Sequence, residues 1–178
     1  VYQYDNKRIW DILDMINNLE GDFWIRLMYC HPDHIDDRLI ETLATLPKVV
    51  HYIDIPFQHA SKKVLQSMNR KGDADSYLQL VKKLRKAIPD IAIRSTFMVG
   101  FPDEDEHDFK LLMEFVNEAQ LDRVGVFTYS PEEGTQAFAK GDTVKKATKK
   151  KRYNMLMKLQ QEISQQRLKK TIGTSVQV

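Results

Sequence analysis

Hydrophobic and polar positions along the chain follow two spacings, one helical and one typical of strands. Apolar residues recur at about every third or fourth position over residues 7–19, which predicts a first helix. Helical spacing returns several times, and a long final helix is predicted over about residues 144–171. Four segments between the helices are apolar or alternate strictly, and we predict that they are strands: about residues 24–29, 49–55, 91–99 and 122–129.

The alternation of strands and helices favours an α/β fold with a parallel sheet and right-handed crossovers. Four core strands are too few for a closed barrel. No strand is predicted before the first helix, whereas residues 174–178 have the pattern of a strand that lacks a partner. We therefore expect both ends of the chain to be cuts through larger units.

Polar residues gather on one face of the predicted strands. Alternate residues point to opposite faces, so Arg94 and Thr96 share one face of the third strand, and Asp54 and Gln58 share one face of the second. An arginine in a core strand is costly unless it is paired or faces a wet cavity. We predict that Asp54 pairs with Arg94, with Arg26 of the first strand, or with both. The alternative is a buried ion pair that binds no ligand.

Further candidate residues follow the strands, at the edge where parallel α/β folds bind ligands. Gln58, His59 and Ser61 lie at one strand-to-helix junction, and Tyr129 and Ser130 follow the last strand. Their amide, imidazole and hydroxyl groups suit hydrogen bonds to a ligand. Two alternatives stay open, since Ser61 suits the cap of the next helix and a single histidine is often a hydrogen-bonded turn residue.

Composition narrows the class of protein. The chain has 178 residues, which suits one domain, and no apolar run approaches the ~20 residues of a membrane span. Its single cysteine excludes an intramolecular disulfide framework and fits a reducing compartment, so we expect a cytoplasmic protein without a membrane partner.

Charge is uneven along the chain. The net charge of +2 is too small to imply a nucleic-acid partner, but a basic block lies near the start of the final helix. We interpret it as a solvated helix start, with a patch for RNA or an acidic protein as the alternative. The block consists of Lys145, Lys146, Lys149, Lys150, Lys151 and Arg152.

Several segments together resemble the radical S-adenosylmethionine (SAM) methylthiotransferases. The resemblance is closest to the branch that modifies an aspartate of ribosomal protein S12. Three positions differ from the residues typical of the tRNA-modifying branch: His59, Thr96-Phe97 and Pro131-Glu132-Glu133. The matching segments are residues 24–29, 31–33, 54–61, 68–70, 94–102, 122–127, 129–135 and 159–164.

The resemblance implies a partial (β/α) barrel, here truncated to about four core strands plus the long C-terminal helix. Residues 1–171 would be the last two-thirds of the radical SAM domain, and residues 172–178 the start of a β-barrel module that binds RNA or protein. In this family one [4Fe–4S] cluster binds SAM and cleaves it to a 5′-deoxyadenosyl radical, while a second cluster handles the sulfur. The implied partners are ribosomal protein S12, an electron donor and RNA.

The cluster ligands are missing from this chain. A SAM-binding cluster needs three thiolates from a C-x3-C-x2-C loop, but the only cysteine is Cys30, which we interpret as a small strand residue. The family places the ligands of both clusters ahead of these residues. We therefore expect a fragment that cannot cleave SAM alone and holds no metal ligand or catalytic residue.

The resemblance also implies roles for individual residues. Arg94 would bind the SAM carboxylate through two parallel charge-assisted hydrogen bonds, with Asp54 beside it. Gln58 and either Ser95 or Thr96 would bind the ribose or the amino acid portion. Val99 and Gly100 would let the backbone approach the adenine, and His59, Tyr129 and Ser130 would lie at the substrate opening.

One turn departs from the family pattern. The usual Pro-Gly-Glu-Thr is here Pro102-Asp103-Glu104-Asp105. Losing glycine removes easy access to positive φ, so a locally different turn is expected. Two other functions stay open, a tRNA methylthiotransferase and a non-catalytic domain that binds protein or RNA.

Overall fold

A four-stranded parallel sheet is the centre of the computed structural model, which describes residues 3–4 and 7–175. None of the described helices is long and apolar enough to cross a membrane. Short 3-10 helices occur at Pro32–His34 and Phe138–Lys140. The strands and helices are β1 (Gln3–Tyr4), β2 (Lys7–Arg8), α1 (Ile9–Asn17), β3 (Ile25–Leu27), α2 (Asp37–Thr45), β4 (Val49–Asp54), α3 (Lys62–Ser67), α4 (Ala74–Ala87), β5 (Ala92–Val99), α5 (Glu106–Ala119), β6 (Arg123–Thr128) and α6 (Lys146–Lys169).

The sheet follows the chain, with strand order β3-β4-β5-β6 and every pair parallel. Each strand therefore lies beside the next one in sequence, joined by a helical crossover as in βαβ units. This confirms the predicted α/β fold with four parallel core strands. The register places Arg94 of β5 between Asp54 of β4 and Arg123 of β6.

The core lies on one face of the sheet. Along β5 the side chains alternate between partly exposed and buried, and Ile93, Phe97 and Val99 are completely buried. Phe97 packs near Phe115 of α5, with ring centroids 6.0 Å apart. Burial of such rings supplies much of the hydrophobic stabilisation of the fold.

Polar side chains cap the helices that follow the strands. Ser61 is the N-cap of α3 and its hydroxyl accepts from Val64 N, which confirms the capping interpretation. Asp105 caps α5 by accepting from Asp108 N. These caps satisfy backbone donors that a helix start leaves unpaired.

The secondary structure near both ends of the chain differs from the predictions. Helix α1 begins at Ile9 rather than near residue 7, because Lys7–Arg8 pairs antiparallel with Gln3–Tyr4. The expectation that no strand precedes the first helix is therefore wrong. Residues 174 and 175 are not in a strand, and the rest of the predicted final strand, residues 176–178, lies outside the described residues.

Candidate functional site

The face of the sheet opposite the core is partly open. Arg94, Thr96 and Met98 of β5 are partly exposed there, as the strand alternation predicts. In the register of the sheet, Thr96 lies beside Gly125 and Met98 beside Phe127, whose side chain is 61% exposed. A strand face with a central arginine and no full apolar cover is suited to a ligand rather than to core packing.

The predicted ion pair forms between Asp54 and Arg94. Arg94 Nη1 lies 3.9 Å from Asp54 Oδ2, which is an ionic contact longer than a hydrogen bond. The Asp54 side chain is almost fully buried, the Arg94 side chain is 40% exposed, and Asp54 Oδ1 has no hydrogen-bond partner within the described part of the chain. The guanidinium therefore retains donors for a further anionic partner.

Arg26 does not join this pair in the described structure. Its guanidinium lies over the Tyr52 ring, 4.8 Å from the ring centroid, which is a cation–π contact. The prediction that Asp54 pairs with Arg94, with Arg26 or with both is therefore confirmed in its first form, with Arg94 alone. Tyr52 lies two residues before Asp54 on β4, so Arg26 contacts the same strand through an aromatic ring instead of the carboxylate.

Three strand ends share an unusual backbone conformation. Tyr29, Gln58 and Gly100 have φ values of 57°, 68° and 74°. Gln58 is held there by β5, because its N–H donates to Thr96 O and its carbonyl accepts from Met98 N, at 2.9 and 2.8 Å. Left-handed backbone at a non-glycine residue costs about 1–2 kcal/mol and is concentrated at functional sites.

A cavity of about 440 Å³ opens at this edge of the sheet. Its wall includes Gln58, Met98 and Phe101, and also Arg70, whose guanidinium donates to Pro56 O at 2.8 Å. Its volume lies within the ~300–1,000 Å³ of small-molecule sites. Met98 belongs both to the open face of β5 and to this wall, so the two features are continuous.

His59, Ser95 and Val99, all predicted site residues, lie on the buried side of the sheet. His59 Nδ1 accepts from Ser61 N at 2.9 Å, and burial lowers the pKa of His59 to about 4, so the ring is neutral with its proton on Nε2. Ser95 Oγ accepts from Phe57 N at 3.3 Å. Their side chains thus support the turn behind the open face, which leaves Thr96 as the hydroxyl on that face.

Tyr129 and Ser130 are placed differently from each other. Tyr129 is buried; its hydroxyl donates to Ala137 O at 3.0 Å and its ring packs edge-on against Phe101. Ser130 is exposed and lines a second cavity, of about 740 Å³, between β6 and α6. Tyr129 therefore supports the loop behind the first cavity, while Ser130 reaches the surface.

The basic block is only partly solvated, so its interpretation as a solvated helix start is wrong for two members. Lys149 and Arg152 are buried. Arg152 Nη1 donates to Glu104 Oε1 at 2.9 Å, and Lys149 Nζ donates to Tyr129 O at 2.8 Å. Sequence analysis missed these residues and Glu104; their only signal is a three-residue step on one helix face inside a charge run.

The turn after β5 keeps the backbone that glycine would favour. Asp103 has φ of 66°, so the turn has a positive φ although it lacks the glycine. Its N–H donates to Thr143 Oγ1 at 2.9 Å, which helps to hold the turn. Aspartate is among the few residues that adopt this conformation at moderate cost.

The described residues do not fit an iron–sulfur cluster. Among them there is no group of three or more His, Cys, Asp or Glu side chains that could hold a metal ion. Burial and the nearby Asp54 raise the pKa of Cys30 to about 11, which disfavours the thiolate that binds metals. An anionic organic ligand fits better, because the Arg94 guanidinium has free donors on the open face of the sheet.

Comparison with known proteins gives a consistent result. Residues 2–116 match the family model described as the radical SAM superfamily. The chain is 45% identical over 170 residues, 96% of its length, to ribosomal protein uS12 methylthiotransferase RimO of Thermodesulfovibrio yellowstonii. It is 48% identical over 160 residues, 90% of its length, to the protein of the same name from Geobacter sulfurreducens. The chain spans 39% and 36% of those two proteins.

A solved structure shares the fold. Coproporphyrinogen III oxidase (HemN) from Escherichia coli, described as a radical SAM enzyme, superimposes with a TM-score of 0.63 at 20% identity. The match covers 86% of this chain and 36% of that protein.

Proposed function

The chain belongs to the radical SAM superfamily, and we propose that it forms the SAM-binding wall of a methylthiotransferase that acts on ribosomal protein uS12. The observation that carries this proposal is the 45–48% identity to uS12 methylthiotransferases over at least nine-tenths of the chain. The chain spans less than two-fifths of those relatives, so activity, substrate and partners are all part of the proposal.

Arg94 is the residue proposed to bind the carboxylate of SAM. It lies on the open face, its side chain is 40% exposed, and its contact with Asp54 is too long to occupy its donors. A guanidinium offers a carboxylate two parallel hydrogen bonds. Asp54, nearly buried, restrains the guanidinium from the neighbouring strand.

The polar groups along the open face would bind the rest of SAM. Thr96 offers a hydroxyl and Gln58 offers an amide at the cavity. Gly100 is buried against the Lys149 side chain, so it is not proposed to contact the base. When bound, SAM would supply the radical that removes a hydrogen atom from the substrate carbon. The cluster ligands are proposed to lie outside this chain, since the described residues do not fit a cluster.

The same reasoning gives the remaining parts of the proposal. Modification of a ribosomal protein implies a cytoplasmic enzyme and an electron donor, and an RNA contact is proposed through a module that follows residue 171. Ser130, exposed beyond the end of β6, is the residue proposed to lie nearest to the uS12 substrate.

A deletion strain tests the activity directly. We expect mass spectrometry of uS12 from the strain to show loss of one methylthio group, with tRNA methylthiolation unchanged, and complementation with the intact gene to restore it. Loss of the group from tRNA alone would assign the tRNA-modifying function instead. No change in either molecule would favour a domain that only binds protein or RNA.

Two arginines that are neighbours in the sheet test the proposed SAM contact. Complementation with Arg94→Ala should abolish uS12 modification, and Arg94→Lys should restore a minor part, because a single ammonium lacks the bidentate geometry. The matched control is Arg123→Ala, whose exposed side chain is beside Arg94 in the register of the sheet. Equal loss in both variants would contradict a specific role for Arg94.

A further inference from the structure

The start of helix α6 contains two buried cations inside an exposed basic run. Lys149 and Arg152 are 4% and 5% exposed, whereas their neighbours Lys150 and Lys151 are exposed. Burying an ammonium or a guanidinium costs several kcal/mol unless good partners compensate it. The partners of both cations lie in the loops that follow β5 and β6.

Arg152 acts on the loop after β5 through Glu104. Its Nη1 donates to Glu104 O at 3.0 Å and to Glu104 Oε1 at 2.9 Å. The other carboxylate oxygen, Glu104 Oε2, accepts from Gly100 N at 2.5 Å and from Phe101 N at 3.2 Å. A charge on α6 therefore fixes two consecutive amides at the end of β5 through one buried carboxylate.

Lys149 acts on the same turn and on the loop after β6. Its side chain packs against Gly100 so closely that a Cβ at position 100 would clash with Lys149 Cγ. Its ammonium donates to Tyr129 O at 2.8 Å and pairs with Asp142. The two strand ends are joined directly as well, since Tyr129 N donates to Val99 O at 2.9 Å.

These contacts converge on the wall of the 440 Å³ cavity. The Phe101 ring lines that cavity, while its N–H is held by Glu104 and its ring packs on Tyr129 at 5.1 Å between centroids. Ala137, another lining residue, accepts from the Tyr129 hydroxyl. Helix α6 thus controls the position of one wall of the cavity, although neither Lys149 nor Arg152 lines that cavity.

We propose that Lys149 and Arg152, with Glu104 between helix and turn, are positioning residues that set the wall of the SAM pocket from behind. This inference rests on the proposed function for the identity of the ligand. Because the contacts fix backbone amides rather than touch the ligand, removing them widens the range of conformations of residues 99–101. The cost then appears in ligand affinity more than in the rate of chemistry.

The test uses the full-length protein encoded by the gene and three variants of α6. Arg152→Met removes the guanidinium but keeps an apolar chain above the Phe109 ring, and Arg152→Lys keeps one charge. Lys151→Met is the matched control, an exposed neighbour in the same run. Two quantities are measured: amide hydrogen exchange in residues 97–104 without SAM, and the dependence of uS12 modification on SAM concentration.

Arg152→Met should speed exchange at Gly100 and Phe101 and raise the KM for SAM about tenfold, the effect expected for loss of one good polar contact. The kcat of Arg152→Met should stay nearly unchanged. Arg152→Lys should have an exchange rate and a KM between those of the native protein and Arg152→Met. Lys151→Met should match the native protein in both quantities. Lys149→Met, which keeps the methylenes beside Gly100, provides a second variant if Arg152→Met folds poorly. It should speed exchange at residues 128–130.

Two results would overturn the proposal. Unchanged exchange in residues 97–104 would show that the cations do not hold the turn. A lower melting temperature with an unchanged KM for SAM would show a purely structural role. If the native protein itself does not use SAM, the proposed function fails, and the exchange measurement still decides whether α6 holds the turn.

Discussion

The two faces of strand β5 differ although they share one backbone. On the core face, Ile93, Phe97 and Val99 are fully buried, and their neighbours are other apolar side chains. On the open face, Arg94, Thr96 and Met98 are partly exposed. Arg94 pairs with Asp54, and Met98 lines the cavity. The buried residues stabilise the fold, and the residues that alternate with them are those proposed to bind the ligand, so single substitutions along β5 should separate the two properties.

The largest expected loss of stability comes from a substitution on the core face of β5. Phe97→Ala should lower the free energy of unfolding by about 3–5 kcal/mol, because it leaves a cavity among packed rings. Urea denaturation measures this change. The control on the open face is Thr96→Ala, which should change the same free energy by about 0.5 kcal/mol or less. Equal losses would mean that the open face is also packed.

A pair of buried titratable groups gives the next largest effect. Burial lowers the pKa of His59 to about 4, so the unfolded state binds a proton that the folded state does not, and stability from this group falls as pH falls from 6.5 to 4. Burial raises the pKa of Glu104 to about 7, from 4.5, against the pull of Arg152. Stability from this group therefore falls as pH rises from 4.5 to 7.

The two dependences oppose each other, so each variant should reveal the other group. Glu104→Gln should lose unfolding free energy as pH falls from 6.5 to 4, and His59→Gln should lose it as pH rises from 4.5 to 7. Denaturation at a series of pH values measures both slopes. Slopes of the same sign would show that burial does not govern both groups.

Ser95 sharpens the comparison because it is a polar residue on the core face. Ser95→Ala should lower the free energy of unfolding by about 1–2 kcal/mol, since it leaves the buried Phe57 N–H without its acceptor. Ser130→Ala, at an exposed position, is the control and should be nearly neutral. A neutral Ser95→Ala would show that the 3.3 Å contact contributes nothing.

The smallest effect concerns the turn that leaves β5. Asp103→Gly should raise the free energy of unfolding by up to about 1 kcal/mol, because glycine adopts the φ of 66° without steric cost. The neighbouring Asp105→Ala should instead lower it by about 1 kcal/mol through loss of the helix cap. Thermal unfolding of both variants gives the comparison, and destabilisation by Asp103→Gly would contradict it.

The fold could be predicted from the sequence because its signals are local. Strand alternation placed Arg94 opposite Phe97, and proline, aspartate and serine marked helix boundaries. The Asp54–Arg94 pair followed from that alternation. The site was less predictable because its support is non-local: Arg152 is 48 residues from Glu104, and a charge run ordinarily indicates solvent rather than a buried contact.

Backbone conformation at the site could not be predicted from the sequence either. The left-handed backbone of Gln58 arises from hydrogen bonds to β5, a strand more than thirty residues later. Arg26 contacts the ring of Tyr52 and not the carboxylate of Asp54, although its residue type suits either partner. Both outcomes depend on three-dimensional register, which a linear pattern does not encode.

The strand order of the sheet has a consequence for how the molecule forms during synthesis. Because β3, β4, β5 and β6 are neighbours in space in the order of the chain, each strand can dock on the one before it as it leaves the ribosome. Helix α6 is the last of these elements to emerge. On the positioning role proposed for Lys149 and Arg152, the cavity wall would be fixed only after α6 has been synthesised, so assembly of the sheet would precede completion of the pocket.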